Sequence, residues 1–220
     1  MATAVITGAN RGIGLELCRL LRERGDDVIG VCRSSSPELV DLGARVEAGV
    51  DLGSGDDIGA LASRLDGTEI DLLVNNAGIL EPVSLERLDV ESIRRQFEVN
   101  ALGPLRLTAA LLPRLRRGAR LALVTSRMGS LADNTSGGSY GYRMAKAALN
   151  MVGVSLAQDL RERGIAVCIL HPGYVRTGMT GGHGNIDPPE AAAGLLARID
   201  ELTLETSGGF WHAGGERLPW

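Results

Sequence analysis

Aromatic side chains are scarce in this chain, at 3% of its residues, so the core must be built from Leu, Val, Ile and Ala. Cysteine is equally sparse. Cys18, Cys32 and Cys168 are each flanked by apolar neighbours, and none sits in a CxxC pair. Such an odd set makes neither a disulfide framework nor a thiolate metal site, and it suits a reducing compartment. The three histidines, His171, His183 and His212, are too dispersed to suggest a metal cluster. No apolar run approaches the ~20 residues of a membrane-spanning helix. The opening Met-Ala-Thr-Ala-Val-Ile-Thr-Gly lacks the charged region and cleavage pattern of a signal peptide and reads as a first strand. We therefore expect a cytoplasmic protein with no membrane partner and no metal.

There is also no excess of charge. The formal net charge is −4, and the basic residues are scattered. The longest basic clusters, Arg94-Arg95 and Arg114 to Arg117, fall in helical patterns. They read as solvated helix faces rather than a nucleic-acid surface. No repeat or low-complexity linker divides the 220 residues, so one domain over 1–220 is expected.

Glycine, with 30 residues, is abundant, and so are short aliphatic runs alternating with amphipathic segments. Strands are expected at Ala4–Thr7, Val28–Cys32, Arg45–Val50, Asp71–Val74, Arg120–Thr125, Ile165–Leu170 and Gly209–His212. Helices are expected at Gly12–Arg24, Asp57–Leu65, Val90–Leu112 (bent at Pro104), Tyr140–Arg163 (stopped by Gly164) and Pro189–Ile199. Near-continuous aliphatic strands alternating with helices predict an α/β protein. We expect a single-domain Rossmann fold, a doubly wound parallel sheet of about seven strands with helices on both faces. The Gly- and Pro-rich stretch Gly178–Pro189 reads as a mobile loop.

Gly8, Gly12 and Gly14 follow the first strand and open the first helix. Their spacing is Gly-x3-Gly-x-Gly rather than Gly-x-Gly-x2-Gly, but the physics is shared. Missing side chains permit a tight turn and close approach to a pyrophosphate, and the helix N-terminus presents N–H groups to it. Asn10, Arg11 and Ile13 lie in the same turn. At the end of strand two, an acidic residue binds the ribose of NAD and a basic one accommodates the 2′-phosphate of NADP. No Asp or Glu occurs between Asp27 and Glu38, and the strand ends in Cys32-Arg33-Ser34. Arg33, with Arg11 as a second cation, points to NADP(H).

Tyr142 and Lys146 are four residues apart, one helical turn, so the phenol and the ammonium share a face. A cation beside a phenol favours phenolate and lowers its pKa from ~10. A hydride-carrier site combined with a tuned acid describes a carbonyl/alcohol oxidoreductase.

The sequences Thr7-Gly8-Ala9-Asn10-Arg11-Gly12-Ile13-Gly14, Asn75-Asn76-Ala77-Gly78, Asn100, Tyr142-x3-Lys146 and Pro172-Gly173 occur in the order expected of the short-chain dehydrogenase/reductase family. The resemblance covers essentially the whole chain. The stretch Ser126–Asn150 and the ending Leu218-Pro219-Trp220 look like the C-factor and sniffer-type carbonyl reductase branch. The resemblance implies that Tyr142 gives the proton to the substrate oxygen and that Lys146 lowers the tyrosine pKa and bonds the nicotinamide ribose. It implies that Asn100 holds a water in the proton relay. Asp51 and Leu52 would contact adenine, although Asp51 would serve equally as a loop cap. Asn76, Ala77 and Gly78 would lie beside the adenine ribose. Pro172, Gly173, Val175 and Thr177 would hold the carboxamide and pyrophosphate.

The serine departs from the family pattern. The catalytic Ser usually precedes the Tyr by about a dozen residues. Ser126 has fifteen residues between it and Tyr142, and Ser130 has eleven. We expect Ser126, which emerges from the expected strand Arg120–Thr125 at the sheet's C-terminal edge, with the extra residues looped out through Ala132–Gly138. Ser130 is the alternative, in a less well fixed position. The expected activity is NADPH-dependent reduction of an aldehyde or ketone. The competing class is a nucleotide-binding sensor or signalling protein on the same fold. The two long helices would suit pairing in a homodimer.

Overall fold

Seven strands form one sheet, and all of them run parallel, in the order β3-β2-β1-β4-β5-β6-β7. The structure is a computed structural model describing residues 1–220. The strands are β1 (Thr3–Thr7), β2 (Asp27–Val31), β3 (Arg45–Glu47), β4 (Ile70–Asn75), β5 (Leu115–Val124), β6 (Ala166–His171) and β7 (Phe210–His212). The helices are α1 (Gly12–Glu23), α2 (Pro37–Asp41), α3 (Gly55–Arg64), α4 (Val90–Phe97), α5 (Gly103–Leu111), α6 (Tyr140–Asp159) and α7 (Pro188–Asp200).

Side chains alternate across the sheet, so neighbouring residues of β1 enter different cores. Ile6 joins Leu17, Leu21, Leu195 and Ile199 beneath α1 and α7. Val5 joins Leu61, Leu107, Leu111 and Leu149 beneath α3, α5 and α6. A sheet covered on both faces needs strands that are apolar throughout, and this is why the runs read as continuous. The Rossmann-like single domain expected from the sequence is the fold observed. The chain winds outward from β1 through β2 to β3, then returns to β4 on the other side of β1. That reversal opens a crevice at the C-terminal ends of β1 and β4.

Local features differ from expectation: β3 ends at Glu47 rather than Val50, and α6 ends at Asp159 rather than running to Arg163. Helix α2 is present but was not expected. It spans five residues and is started by Ser36, whose Oγ accepts from Leu39 N, with Pro37 at the first helical position. Arg114 to Arg117 are not helical. Arg114 closes a 3₁₀ turn, and Leu115 already begins β5. The long helix after Val90 is interrupted at Glu98–Leu102 by a π-helical turn, not by Pro104, which sits harmlessly in the first turn of α5. No helix is long and apolar enough to cross a membrane.

Candidate active site

The crevice floor is built from glycine and threonine. Gly8 has φ +67°, a left-handed backbone that turns the chain out of β1. At Gly14 a Cβ would come 2.2 Å from Gly8 O, so the first helical turn packs directly on the loop backbone. Arg11 precedes the helix in an extended conformation with no side-chain cap, leaving the N-terminal N–H groups to face the crevice. The buried Thr7 hydroxyl accepts from both Asn76 N and Ala77 N at 3.0 Å and faces Val74 O. The Asn76 amide donates to Thr7 O at 2.9 Å. Thus the glycine turn and the Asn76–Gly78 segment are bolted together at the switch point. Thr7 does not stand out in the sequence; the only signal is a small hydroxyl residue ending a strand just before the glycine turn.

Arg11 and Arg33 are exposed and enter no ion pair. Asp51 caps its own loop, its Oδ1 accepting from Gly53 N at 2.8 Å, while Leu52 is buried. Thr177 lies across from the glycine turn, its Cγ2 3.5 Å from where a Gly12 Cβ would be. Val175 is buried and bridges to Ile186, and Gly173 follows Pro172 with φ +95°.

Tyr142 and Lys146 face the same pocket from α6. The Lys146 ammonium is 5.6 Å from the centre of the Tyr142 ring and donates to Val124 O at 2.9 Å. The Ser126 hydroxyl lies against the Tyr142 phenol, and it also accepts from Met128 N. Burial pushes the phenol up to about 12, with Ser126 pulling the other way, and pushes the ammonium down to about 8. In this state the lysine does not lower the tyrosine pKa as the pairing suggested. Its proton is committed to a backbone carbonyl, and desolvation wins. At neutral pH the phenol therefore keeps its proton.

Lys146 is the only lysine in the chain, the other 22 basic side chains being arginine. Its folded pKa lies below the usual 10.5, so between pH 8 and 10.5 the unfolded chain holds a proton that the folded one has shed. Stability should therefore rise with pH across that window, with the charge penalty complete below it. The expected rise is on the order of 3 kcal/mol. Urea denaturation at several pH values should show this rise in the wild type relative to Lys146→Met.

Asn100 sits in the π turn, fully buried. Its amide exchanges two 2.8 Å hydrogen bonds with the backbone of Ile79, so both side-chain atoms are engaged. The partner is 21 residues away, so this is not the local satisfaction usual for a helical amide. A Cβ on Gly78 would lie 3.1 Å from Asn100 Oδ1 and 3.6 Å from Lys146 Nζ, which brings these three residues together.

The two serines are both fixed. Ser126 ends the run out of β5 and faces Tyr142. Ser130 was expected to be loosely held, but it is only 2% exposed, and its hydroxyl accepts from Asp133 N. The long spacing is absorbed before α6, where Gly137, Gly138 and Ser139 all have left-handed backbones.

Residues 2–185 match the family described as short chain dehydrogenase, and the chain belongs to it. It is 46% identical to 1-hydroxy-2-glutathionyl-2-methyl-3-butene dehydrogenase of Rhodococcus sp. (strain AD45), over the full length of both. It is 48% identical to C-signal of Myxococcus xanthus, over 73% of this chain and 99% of that one. Among solved structures it is similar to the carbonyl reductase Sniffer of D. melanogaster, with TM-score 0.93 and 30% identity over the whole of both chains. It is also similar to the NADPH-bound carbonyl reductase from chicken fatty liver, with TM-score 0.90 and 28% identity over 100% of this chain and 99% of that one.

Proposed function

We propose that this protein is an NADPH-dependent reductase of aldehydes or ketones, with Tyr142 as the proton donor. The observation that carries this reading is the burial together of Ser126, Tyr142 and Lys146, with the ammonium 5.6 Å from the centre of the phenol ring. NADPH suits the residues of the crevice. The unpaired Arg11 and Arg33 offer positive charge for a 2′-phosphate, and no carboxylate at the end of β2 opposes it. The glycine turn and the uncapped start of α1 suit a pyrophosphate. Gly78 leaves open the space that a Cβ would take beside Lys146.

When bound, NADPH supplies the hydride, and the protein supplies orientation and a proton. Gly8, Asn10, Gly12, Ile13 and Gly14 would hold its phosphates. Asp51, Leu52, Asn76, Ala77 and Gly78 would hold the adenosine, and Pro172, Gly173, Val175 and Thr177 the nicotinamide end. Ser126 and Tyr142 grip the carbonyl oxygen and stabilise the charge that develops on it. Tyr142 then gives up its phenolic proton to that oxygen. Lys146, charged below about pH 8, favours the phenolate so formed. Asn100 acts as a brace: with its amide tied to Ile79, it fixes the wall of the site next to Lys146.

Cofactor choice is tested directly by calorimetry with NADPH and NADH. NADPH should bind far more tightly, and Arg33→Ala should cost about 1.5–3 kcal/mol of that affinity, the scale of a charged hydrogen bond. Equal affinities would sink the NADP assignment. An NADPH-oxidation screen over aldehydes, ketones and quinones tests the activity itself. Consumption with none of them would favour the signalling class that the C-signal relative brings to mind.

A further inference from the structure

The segment that carries Ser126 is anchored on two sides. On the α6 side the anchoring is continuous. Thr125 Oγ1 donates to Lys146 O, Asn150 Nδ2 donates to Gly129 O, and Arg143 reaches Met128 O. Gly129 lies so close that a Cβ there would come 2.7 Å from the Lys146 carbonyl carbon. Arg143 also donates to Ser136 Oγ at 2.8 Å and to Gly137 O, so α6 holds residues 125–129 and the far end at Ser136–Gly137, and leaves the stretch around Ala132 to other supports.

One such support comes from Glu216–Trp220, which folds back along β7. His212 N donates to Glu216 O and Leu218 N donates to Phe210 O, so this stretch runs as an antiparallel return on the sheet edge. Leu218 is buried with Phe210 and Ile169 in a small core of its own. The Trp220 ring stacks on Phe210, with centroids 5.3 Å apart and an interplanar angle of 22°. From that platform, Trp220 O accepts from Ala132 N at 2.8 Å. Glu216 Oε2 accepts from Arg127 Nη2 at 3.1 Å, while Arg127 Nε faces Asp133 at 3.3 Å. Arg127 is the residue next to Ser126. The return segment thus grips the serine segment at its first side chain and again at Ala132.

We infer that Trp220, assisted by Glu216, is a positioning residue for the Ser126 hydroxyl, holding the serine segment against Tyr142 at Arg127 and Ala132, where α6 makes no hydrogen bond. This inference rests on the reductase reading for its kinetic consequence but not for its structural one. Hydroxyl placement within about 1 Å governs such sites, and a misplacement of that size costs up to about 10²-fold.

The test follows both turnover and a spectroscopic signal. Tyrosine is replaced throughout by 3-fluorotyrosine, and the fluorine-19 resonance of position 142 is assigned by its loss in Tyr142→Phe. Ser126→Ala gives the shift for a phenol without its serine partner. In Trp220→Ala the resonance should move toward the Ser126→Ala position. In the same variant kcat should fall about tenfold or more, with NADPH affinity unchanged. Glu216→Ala should do the same to a smaller extent. Trp220→Phe keeps the stacking and should restore both signals, which a loss of general stability would not explain. A resonance unmoved in Trp220→Ala overturns the inference, whatever happens to the melting temperature. If the wild type turns over no carbonyl compound, the reductase reading fails, and the fluorine signal still decides the role of Trp220.

Discussion

Tyr142→Phe is expected to lower kcat for carbonyl reduction about 100-fold or more while leaving NADPH affinity nearly intact. The substitution keeps the buried ring and removes only the hydroxyl. General acid catalysis usually contributes about 10²–10⁴-fold, so the loss should fall in kcat. The wild-type phenol, pushed up by burial to about 12, holds its proton through the neutral range. An acid is active in its protonated form, so reduction should persist through neutral pH and be lost only on the alkaline side. Lys146→Ala should behave differently from Tyr142→Phe, damaging turnover and cofactor affinity together, because one ammonium serves both. Steady-state kinetics paired with calorimetry separates the two patterns. Near-full activity in Tyr142→Phe would remove the proposed proton donor.

The second large effect concerns the serines. Ser126→Ala should reduce kcat about 10²–10³-fold, the usual consequence of removing one donor to a developing oxyanion. Ser130→Ala should be mild in turnover. Its hydroxyl is buried, but it is occupied in capping the turn at Asp133, so its loss should appear as a modest destabilisation of about 1 kcal/mol. Kinetics alongside thermal melts would distinguish these outcomes. A severe kinetic defect in Ser130→Ala with little effect in Ser126→Ala would reverse the assignment.

Much of this architecture was legible in the residues because a sheet covered on both faces demands unbroken aliphatic runs, and those runs mark the strands directly. What escaped notice did so for identifiable reasons. The five residues of α2 are too few to show a helical period, although Ser36-Pro37 is a recognisable helix start. The basic cluster Arg114–Arg117 looks like a helix face because arginine is a good helix former, and the start of β5 there is exposed enough to carry it. The π turn at Glu98–Leu102 changes the helical register without changing composition, so nothing in Glu-Val-Asn-Ala-Leu marks it. In the site, the glycine turn and the Tyr-Lys pair stand out because their spacing is local. The Thr7 hub, the Asn100–Ile79 pair and the grip of Trp220 on Ala132 connect residues far apart in the chain, and no local pattern announces them.

The solitary lysine has a practical consequence in labelling chemistry. Reagents selective for primary amines find only one side-chain target in this chain, since guanidinium groups do not compete at neutral pH. That target is 3% exposed and has an ammonium that loses its proton near pH 8, so modification should be slow but unusually responsive to mild alkali. Acylation localised to Lys146 by peptide mapping, which counts the exposed α-amino group of Met1 separately, thus becomes a report on one address beside Gly78 and Tyr142. Ligands that seat there should shield it, and ligands that bind elsewhere should not. The protein therefore carries a built-in footprinting probe, and occupancy of its crevice is measurable without turnover, substrate or an engineered tag.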